Sequence, residues 1–96
     1  MEYKICRSLW SKARGLMFSR KKNLVFVFEE EKRIGLHMFF VFFPIDVLFL
    51  DSKKKVVEIK RNFRPFSFYT SKEKAKYVVE LSEKYNFKLG DKVNFT

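Results

Sequence analysis

The sequence has few of the residues that build metal sites, phosphate-binding loops and nucleophilic catalytic sites. It contains one cysteine, one histidine and three glycines among 96 residues. A single cysteine excludes an intrachain disulfide, and a single histidine excludes a histidine pair or a histidine-based metal cluster. The glycines form neither a phosphate-binding loop nor a nucleophile elbow. We therefore predict no metal ligand, cofactor or catalytic residue, and an enzyme is the least favoured class of function.

The lone cysteine and histidine have ordinary structural explanations. Cys6 lies in a predicted first strand, residues 3–6, where a free cysteine usually behaves as a small buried hydrophobe. His37 stands between Leu36 and Met38 in an apolar segment. A single histidine there is more often a core or rim residue than a ligand. His37 nevertheless stays on the list of candidate ligand-binding residues.

The longest apolar segment, residues 34–50, is interrupted by His37, Pro44 and Asp46. A helix needs roughly 20 residues to cross a membrane, an aspartate near its centre costs about 2.5–3.5 kcal/mol, and proline breaks it. The segment is therefore predicted to form buried strands. The first residues are polar and lack the apolar core of a signal peptide, so we expect a cytoplasmic protein.

Phenylalanine and positive charge are abundant. There are 13 phenylalanines, and the formal net charge is +10. Aromatic side chains bury about 150–250 Å² each, and a chain this short has a small core. Some phenylalanines should therefore lie near the surface, in a groove, an oligomer contact or a ligand-binding face.

The basic residues permit two interpretations. Lysine and arginine interleaved with phenylalanine are typical of single-strand nucleic-acid binding, and an anionic partner is compatible with the charge. Alternatively, the charge keeps a phenylalanine-rich protein soluble. Turn chemistry at Asp51 and Ser52 explains the lysines at 53–55 without a ligand. The candidate nucleic-acid-binding residues are Arg20, Lys21, Lys22, Lys60, Arg61, Arg64, Phe66 and Phe68.

The pattern along the chain predicts one mainly β (α+β) domain spanning residues 1–96, a small β-barrel or a sandwich-like fold with one or two short helices. Residues 45–50 and 55–60 alternate around a turn at 51–54, which predicts an antiparallel hairpin. Residues 72–87 suit either a helix or a strand. The other expected elements are a helix at 8–17, strands at 24–28, 36–42 and 92–95, a charged turn at 29–33, a loop at 62–65, a short extended piece at 66–69 and a turn at Gly90-Asp91.

Asp46 is the most unusual single residue, because it follows Pro44 within an apolar strand. A buried carboxylate is costly unless it is hydrogen-bonded. It could accept backbone N–H groups at the bend formed by residues 43–44. It could also be a ligand-binding or acid–base carboxylate partnered by Arg14, which stands beside Gly15, where the backbone can approach another group closely. Arg14, His37 and Asp46 are the candidate ligand-binding residues, and the favoured function is a non-catalytic module that binds a small polar ligand or a partner segment.

Several motifs together resemble a known family. The segments are Arg14-Gly15-Leu16-Met17, Leu24-Val25-Phe26-Val27-Phe28 and Pro44-Ile45-Asp46-Val47-Leu48-Phe49-Leu50-Asp51. In order and spacing they resemble the bacterial and archaeal family called domain of unknown function 192. The resemblance implies a compact, mostly β domain with no established cofactor or catalytic residue. It also favours a strand at residues 76–81 and a short helix before Gly90. The family's W-M-K-N-T motif stands here as His37-Met38-Phe39-Phe40-Val41, so any polar site formed there in relatives is missing.

Overall fold

The computed structural model describes residues 3–6, 23–37, 44–64, 67–81 and 85–95, and every regular element in these ranges is a β-strand. This confirms the mainly β expectation. The strands, in chain order, are β1 (Tyr3–Cys6), β2 (Asn23–Lys32), β3 (Gly35–His37), β4 (Ile45–Leu50), β5 (Val56–Phe63), β6 (Phe68–Thr70) and β7 (Ala75–Leu81).

Five of the strands form a central sheet in the order β1-β2-β7-β4-β5. β1 runs parallel to β2, and the other neighbours are antiparallel. β3 and β6 form a separate two-stranded antiparallel sheet. The arrangement places β2, β7 and β4 in the interior of the sheet, with β1 and β5 at its edges.

Within the described ranges the central sheet is open, so the prediction of a barrel is wrong. The start of β5 does not reach β1; its outer edge meets residues 90–93 instead. The Val56 N–H donates to the Asp91 carbonyl and the Gly90 N–H donates to the Val56 carbonyl, both at 2.8 Å. Lys55 and Lys92 form an isolated bridge. The strand expected at residues 92–95 is therefore reduced to a single bridged position.

Strand β4 confirms the predicted central position and alternation. All six of its residues are buried, because β7 and β5 flank it and both sheet faces are covered. Ile45, Val47 and Phe49 belong to one apolar cluster, whereas Leu48 and Leu50 belong to another. We refer to the side of Phe49 as face one and the side of Leu48 as face two.

Different parts of the chain cover the two faces. On face one, Leu36 of β3 and Tyr69 of β6 pack against the first apolar cluster. On face two, Val93 and Phe95 belong to the second apolar cluster, and Tyr85 and Phe87 pack against it. The buried members on face one are Leu24, Phe26, Ile34, Ile45, Val47, Phe49, Phe63, Ala75 and Val78. Those on face two are Val25, Leu48, Leu50, Val56, Val79, Leu81, Val93 and Phe95.

The predicted hairpin is confirmed, since β4 pairs with β5 around residues 51–54. Asp51 Oδ1 accepts the N–H groups of Lys53 and Lys55 at 2.9 and 3.0 Å. Lys54 has a φ of 65°, and its Nζ lies 4.5 Å from the centre of the Phe95 ring. The lysine triplet is thus explained by the turn and by the cation–π contacts of Lys54 with the rings of Phe95 and Tyr77.

Two segments that were predicted to be a turn and a loop belong largely to strands in the structure. The charged segment 29–33 is not a turn, because β2 continues to Lys32, which pairs with Ala75. The glutamates at 29–31 are exposed. The prediction that these charges are solvated is therefore confirmed, whereas the prediction of a turn is wrong. Similarly, β5 continues through the expected loop to Phe63, which is buried and pairs with Ile45.

The predicted strand at 76–81 is confirmed as β7, and the turn at Gly90 is confirmed, with Gly90 at a φ of 88°. The short helix expected before Gly90 is wrong over residues 85–89, which form no helix. The helix expected at 8–17 and most of the strand expected at 36–42 lie outside the described residues. In the part of the chain that the structure describes, no helix has the length and apolar character needed to cross a membrane.

Candidate ligand-binding cleft

Asp46 is a buried carboxylate with partners from the neighbouring strand. It lies in β4 and is 8% exposed. Its Oδ1 accepts the Asn62 N–H at 2.9 Å, and its Oδ2 lies 3.5 Å from Nη1 of Arg61. These contacts offset the cost of burying the charge. The described backbone N–H that Asp46 accepts is that of Asn62 in β5, whereas residue 43 of the bend where such contacts were expected lies outside the described ranges.

Asn62 donates to Asp46 from an irregular position in β5. Its φ is 51°, in the left-handed region that asparagine tolerates better than most residues. The pairing of β4 with β5 also shifts register between Ile45 and Val47. A β-bulge of this kind re-aims side chains near a sheet edge, and here it brings the Asn62 N–H onto the Asp46 carboxylate.

Arg61 links β5 to the segment that covers face two. Its Nη2 donates to the Phe87 carbonyl at 2.7 Å, which is a shorter contact than the one to Asp46. The Arg61 side chain remains half exposed. The guanidinium therefore lies at the protein surface with two of its donors held in place.

A cleft of about 330 Å³ opens beside this pair. Its lining residues are Asp46, Arg61, Asn62, Tyr85 and Asn86. The Tyr85 hydroxyl accepts a hydrogen bond from Asn23 Nδ2 at 3.4 Å, and the Tyr85 and Phe87 rings are 6.3 Å apart between centres. The lining combines a guanidinium, a carboxylate, two carboxamides and a phenol, so it offers hydrogen bonds and one charge of each sign. Among the described residues, no group of three or more His, Cys, Asp or Glu could hold a metal ion.

The structure joins only part of the predicted ligand-binding set. Arg14 lies outside the described residues, and the backbone of His37 is the end of β3. Asp46 does lie at a cleft, but the described arginine beside it is Arg61, which the sequence analysis assigned to the nucleic-acid set. The hairpin register could have identified it, since pairing Leu48 with Ile59 brings Asp46 close to residues 61 and 62.

Two described members of the predicted nucleic-acid set, Lys60 and Arg61, lie on opposite sides of the central sheet. Lys60 Nζ lies 5.4 Å from the centre of the Tyr69 ring, on the side of face one, whereas Arg61 contacts Asp46 and Phe87 on the side of face two. Arg64 is exposed and Phe68 is 71% exposed. Arg20, Lys21, Lys22 and Phe66 lie outside the described residues.

The carboxylate of Glu58 accepts hydrogen bonds that hold parts of the fold together. Glu58 Oε1 accepts the N–H groups of Lys72 and Glu73, each at 2.8 Å, and its Oε2 accepts the Tyr69 hydroxyl. That hydrogen bond, together with burial and the charge of Glu58, raises the pKa of Tyr69 to about 12. Glu58 thereby fastens the β6–β7 connection to the central sheet.

Glu80 is a buried carboxylate of β7 on face one. It pairs in register with Leu24 of β2 and Val47 of β4, and both belong to the apolar cluster. Burial raises the pKa of Glu80 to about 8, because desolvation disfavours the charged form. Glu80 therefore binds a proton across much of the neutral range.

Comparison with known proteins assigns the chain to a family. The model of DUF192, described as an uncharacterised ACR, matches residues 1–95. The chain belongs to the DUF192 family. This confirms the resemblance found in the sequence motifs. As a DUF192 domain it is 39% identical over 96% of its length to a UPF0127 protein of Thermococcus sibiricus and 37% identical over 98% to one of Pyrococcus horikoshii.

These relatives are longer than the DUF192 domain described here. The chain spans 64% of the Thermococcus sibiricus protein and 87% of the Pyrococcus horikoshii protein. Two solved structures share its fold, each matching 82% of this chain. One, from Sinorhizobium meliloti, is described as a candidate transcription regulator; it has a TM-score of 0.77 and 27% identity, and the match covers 66% of it. The other, a protein of unknown function from Novosphingobium aromaticivorans, has a TM-score of 0.75 and 20% identity, with 61% of it covered.

Proposed function

We propose that this DUF192 domain is a non-catalytic binding module whose cleft beside Asp46 holds a small polar ligand or a partner segment. The observation that carries the proposal is the cleft itself, in which β4, β5 and residues 85–86 bring polar side chains together. Binding sites usually combine a concave shape with a few well-placed polar groups. The volume of about 330 Å³ is near the small end of the usual range of roughly 300–1,000 Å³, which favours a small ligand.

The cleft is held by contacts that would fix a ligand's orientation. Asn62 donates to Asp46, and Arg61 donates to Phe87. Side chains fixed before binding lose less entropy when the ligand arrives. The half-exposed Arg61 side chain supplies donors at the surface, and the asparagines supply both donors and acceptors. None of the five lining residues forms a nucleophile–base pair of the kind that covalent catalysis uses.

Titration of the ¹⁵N-labelled domain with amino acids, sugars, nucleosides and short hydroxylated acids tests the proposal. Binding in the cleft should shift the amide signals of Asn62, Tyr85 and Asn86. Asp46→Asn should weaken binding at least tenfold, about 1.4 kcal/mol, because it removes the charge that helps to hold Arg61. The matched control is Asp91→Asn, since Asp91 is exposed, accepts the Lys88 N–H and lies outside the cleft lining. Shifts confined to other surfaces, or equal effects of the two variants, would contradict the proposal.

Weak electrostatic binding of single-stranded nucleic acid is the second candidate. The net charge of +10 and the exposed ring of Phe68 are compatible with phosphate attraction and base stacking. The description of the Sinorhizobium meliloti structure as a candidate transcription regulator is a further reason to test it. The divergence of Lys60 and Arg61 onto opposite faces of the sheet argues against a single basic surface.

A further inference from the structure

The cleft presents a cation, although it contains one acidic and one basic residue. Asp46 is 8% exposed, and its two oxygens already contact Asn62 and Arg61. Arg61 is half exposed and forms the charged part of the opening. A ligand entering the cleft therefore meets the guanidinium before the carboxylate.

Arg61 also supplies the cleft with hydrogen-bond donors that its described contacts do not use. A guanidinium carries five N–H donors and no acceptor. The contacts to Asp46 and Phe87 use two donors of Arg61, which leaves three without an acceptor among the described residues. The carboxamides of Asn62 and Asn86 add N–H donors along the lining.

We propose that the ligand of this cleft carries a carboxylate or phosphate group and that Arg61 binds this oxyanion. The inference rests on the proposed function and narrows it to a chemical class. A planar guanidinium matches carboxylate and phosphate oxygens with two parallel hydrogen bonds. The positive charge of the whole domain raises the local concentration of anions. Neutral polar ligands gain neither advantage.

Asp46 is a positioning residue in this site. It holds Nη1 of Arg61, while the Phe87 carbonyl holds Nη2. Because both contacts exist before a ligand arrives, the guanidinium does not need to be ordered on binding. The contact to Asp46 is long, at 3.5 Å, so it orients Arg61 without consuming its capacity to bind an anion.

Three ligands that share a three-carbon hydroxylated backbone and differ in charged group separate the possibilities: glycerol, glycerate and glycerol 3-phosphate. Each is titrated into the ¹⁵N-labelled domain at several salt concentrations, and the amide signals of Asn62, Tyr85, Asn86 and Phe87 are followed. We expect both anions to shift these signals saturably, with glycerol at least tenfold weaker. Comparing glycerate with glycerol 3-phosphate tells which oxyanion the cleft prefers.

Matched variants test whether Arg61 is responsible. Arg61→Gln should weaken anion binding at least tenfold, whereas Arg64→Gln, which removes the same charge from an exposed residue outside the cleft, should change it less than twofold. Because Arg61→Gln also removes the Phe87 contact and could perturb the fold, Asn86→Asp provides a second test. It adds a negative charge to the lining without touching Arg61, and it should weaken both anions at least tenfold while leaving glycerol unchanged.

The outcomes separate this inference from the proposed function. Equal binding of glycerol and the two anions in the cleft overturns the oxyanion inference but keeps a polar-ligand site. Equal losses in Arg61→Gln and Arg64→Gln, or no effect of Asn86→Asp, also overturn it, because binding would then depend on overall charge. If neither anion shifts the cleft signals the inference fails, and the proposed function fails as well only when the wider set of metabolites also leaves them unchanged.

Discussion

The two faces of the central sheet are covered in different ways. Face one is covered by a second, regular sheet, β3 with β6. Face two is covered by residues 85–95, which contain no helix or extended strand and touch the sheet through side chains and a few backbone bonds. The described cleft opens on face two, next to residues 85 and 86.

The difference lies in how the covering layer is attached. On face one, the Ile34 N–H donates to Ser71 Oγ and the Ser71 N–H donates to the Ile34 carbonyl, both at 2.8 Å. Glu58 fixes the same region through Tyr69. On face two, Arg61 holds Phe87 by one hydrogen bond, residues 90–93 bond the backbone of Lys54 and Val56, and Lys54 Nζ contacts the Phe95 ring. A layer attached at separate points can leave space between them, and that space is the cleft.

Truncating the core of face one should give the largest effect. Phe49→Ala should lower the free energy of unfolding by about 3–5 kcal/mol, the usual cost of removing a buried phenylalanine, because Phe49 is fully buried. Urea denaturation measures it. Phe68→Ala is the matched control, since Phe68 is 71% exposed, and should cost less than about 1 kcal/mol. A loss below 1 kcal/mol for Phe49→Ala would show that face one does not depend on this side chain.

Glu80 should make the stability of face one depend on pH. Its pKa is raised from 4.5 to about 8, so the unfolded chain releases this proton more readily than the folded protein. The contribution is favourable below pH 4.5 and is lost as pH rises towards 8, on the order of 3 kcal/mol by pH 7. Denaturation of wild type and Glu80→Gln across this range gives the difference, with the exposed Glu30→Gln as control. Parallel curves for wild type and Glu80→Gln would refute the expectation.

Loosening the attachment of the face-one layer should have an intermediate effect. Glu58→Gln weakens charge-assisted bonds from the N–H groups of Lys72 and Glu73, and should cost about 1–3 kcal/mol. It should also bring the pKa of Tyr69 down from about 12 towards the ordinary value of about 10, as measured by ultraviolet titration. Glu31→Gln is a useful comparison, because Glu31 accepts only one described backbone N–H, that of Ser52. An unchanged Tyr69 pKa would contradict the assigned contact.

The smallest effect should come from the basic turn. Charge reversal at Lys53 and Lys55, with Lys54 kept for its contact to Phe95, should reduce oligonucleotide binding modestly and equally for all sequences. Phosphate contacts carry no base-specific information, and such binding weakens steeply with salt. Fluorescence anisotropy with several oligonucleotides across a salt series measures this. Tight, sequence-selective binding at high salt would instead favour a nucleic-acid function.

Local patterns predicted the parts of the fold that depend on neighbouring residues. The hairpin of β4 and β5 followed from alternation and from Asp51, whose carboxylate caps its own turn. The strand limits were less predictable. Charges at residues 29–32 suggest a turn, but a strand can leave charged side chains in solvent, as β2 does. Asn62 resembles a loop residue because it adopts a left-handed conformation, yet it lies inside β5.

The candidate site was predicted only in part, because most of it is assembled from distant segments. Asp46 stood out as a charge in an apolar strand, and its burial is confirmed. Arg61 could be inferred from the hairpin register. Tyr85 and Asn86 reach the cleft from nearly 40 residues further along the chain than Asp46, and no local pattern encodes that placement. Their positions depend on how Tyr85 and Phe87 pack on face two.

The backbone bonds between residues 90–93 and the start of β5 have a consequence for behaviour in solution. An uncovered strand edge presents N–H and C=O groups to which another chain can add, and this is a route to aggregation. Here the Gly90 N–H and the Asp91 carbonyl occupy the edge at Val56. A variant that loses these residues would offer this part of β5 to neighbouring molecules. Residues 90–93 thus help to keep the protein from associating through its own sheet.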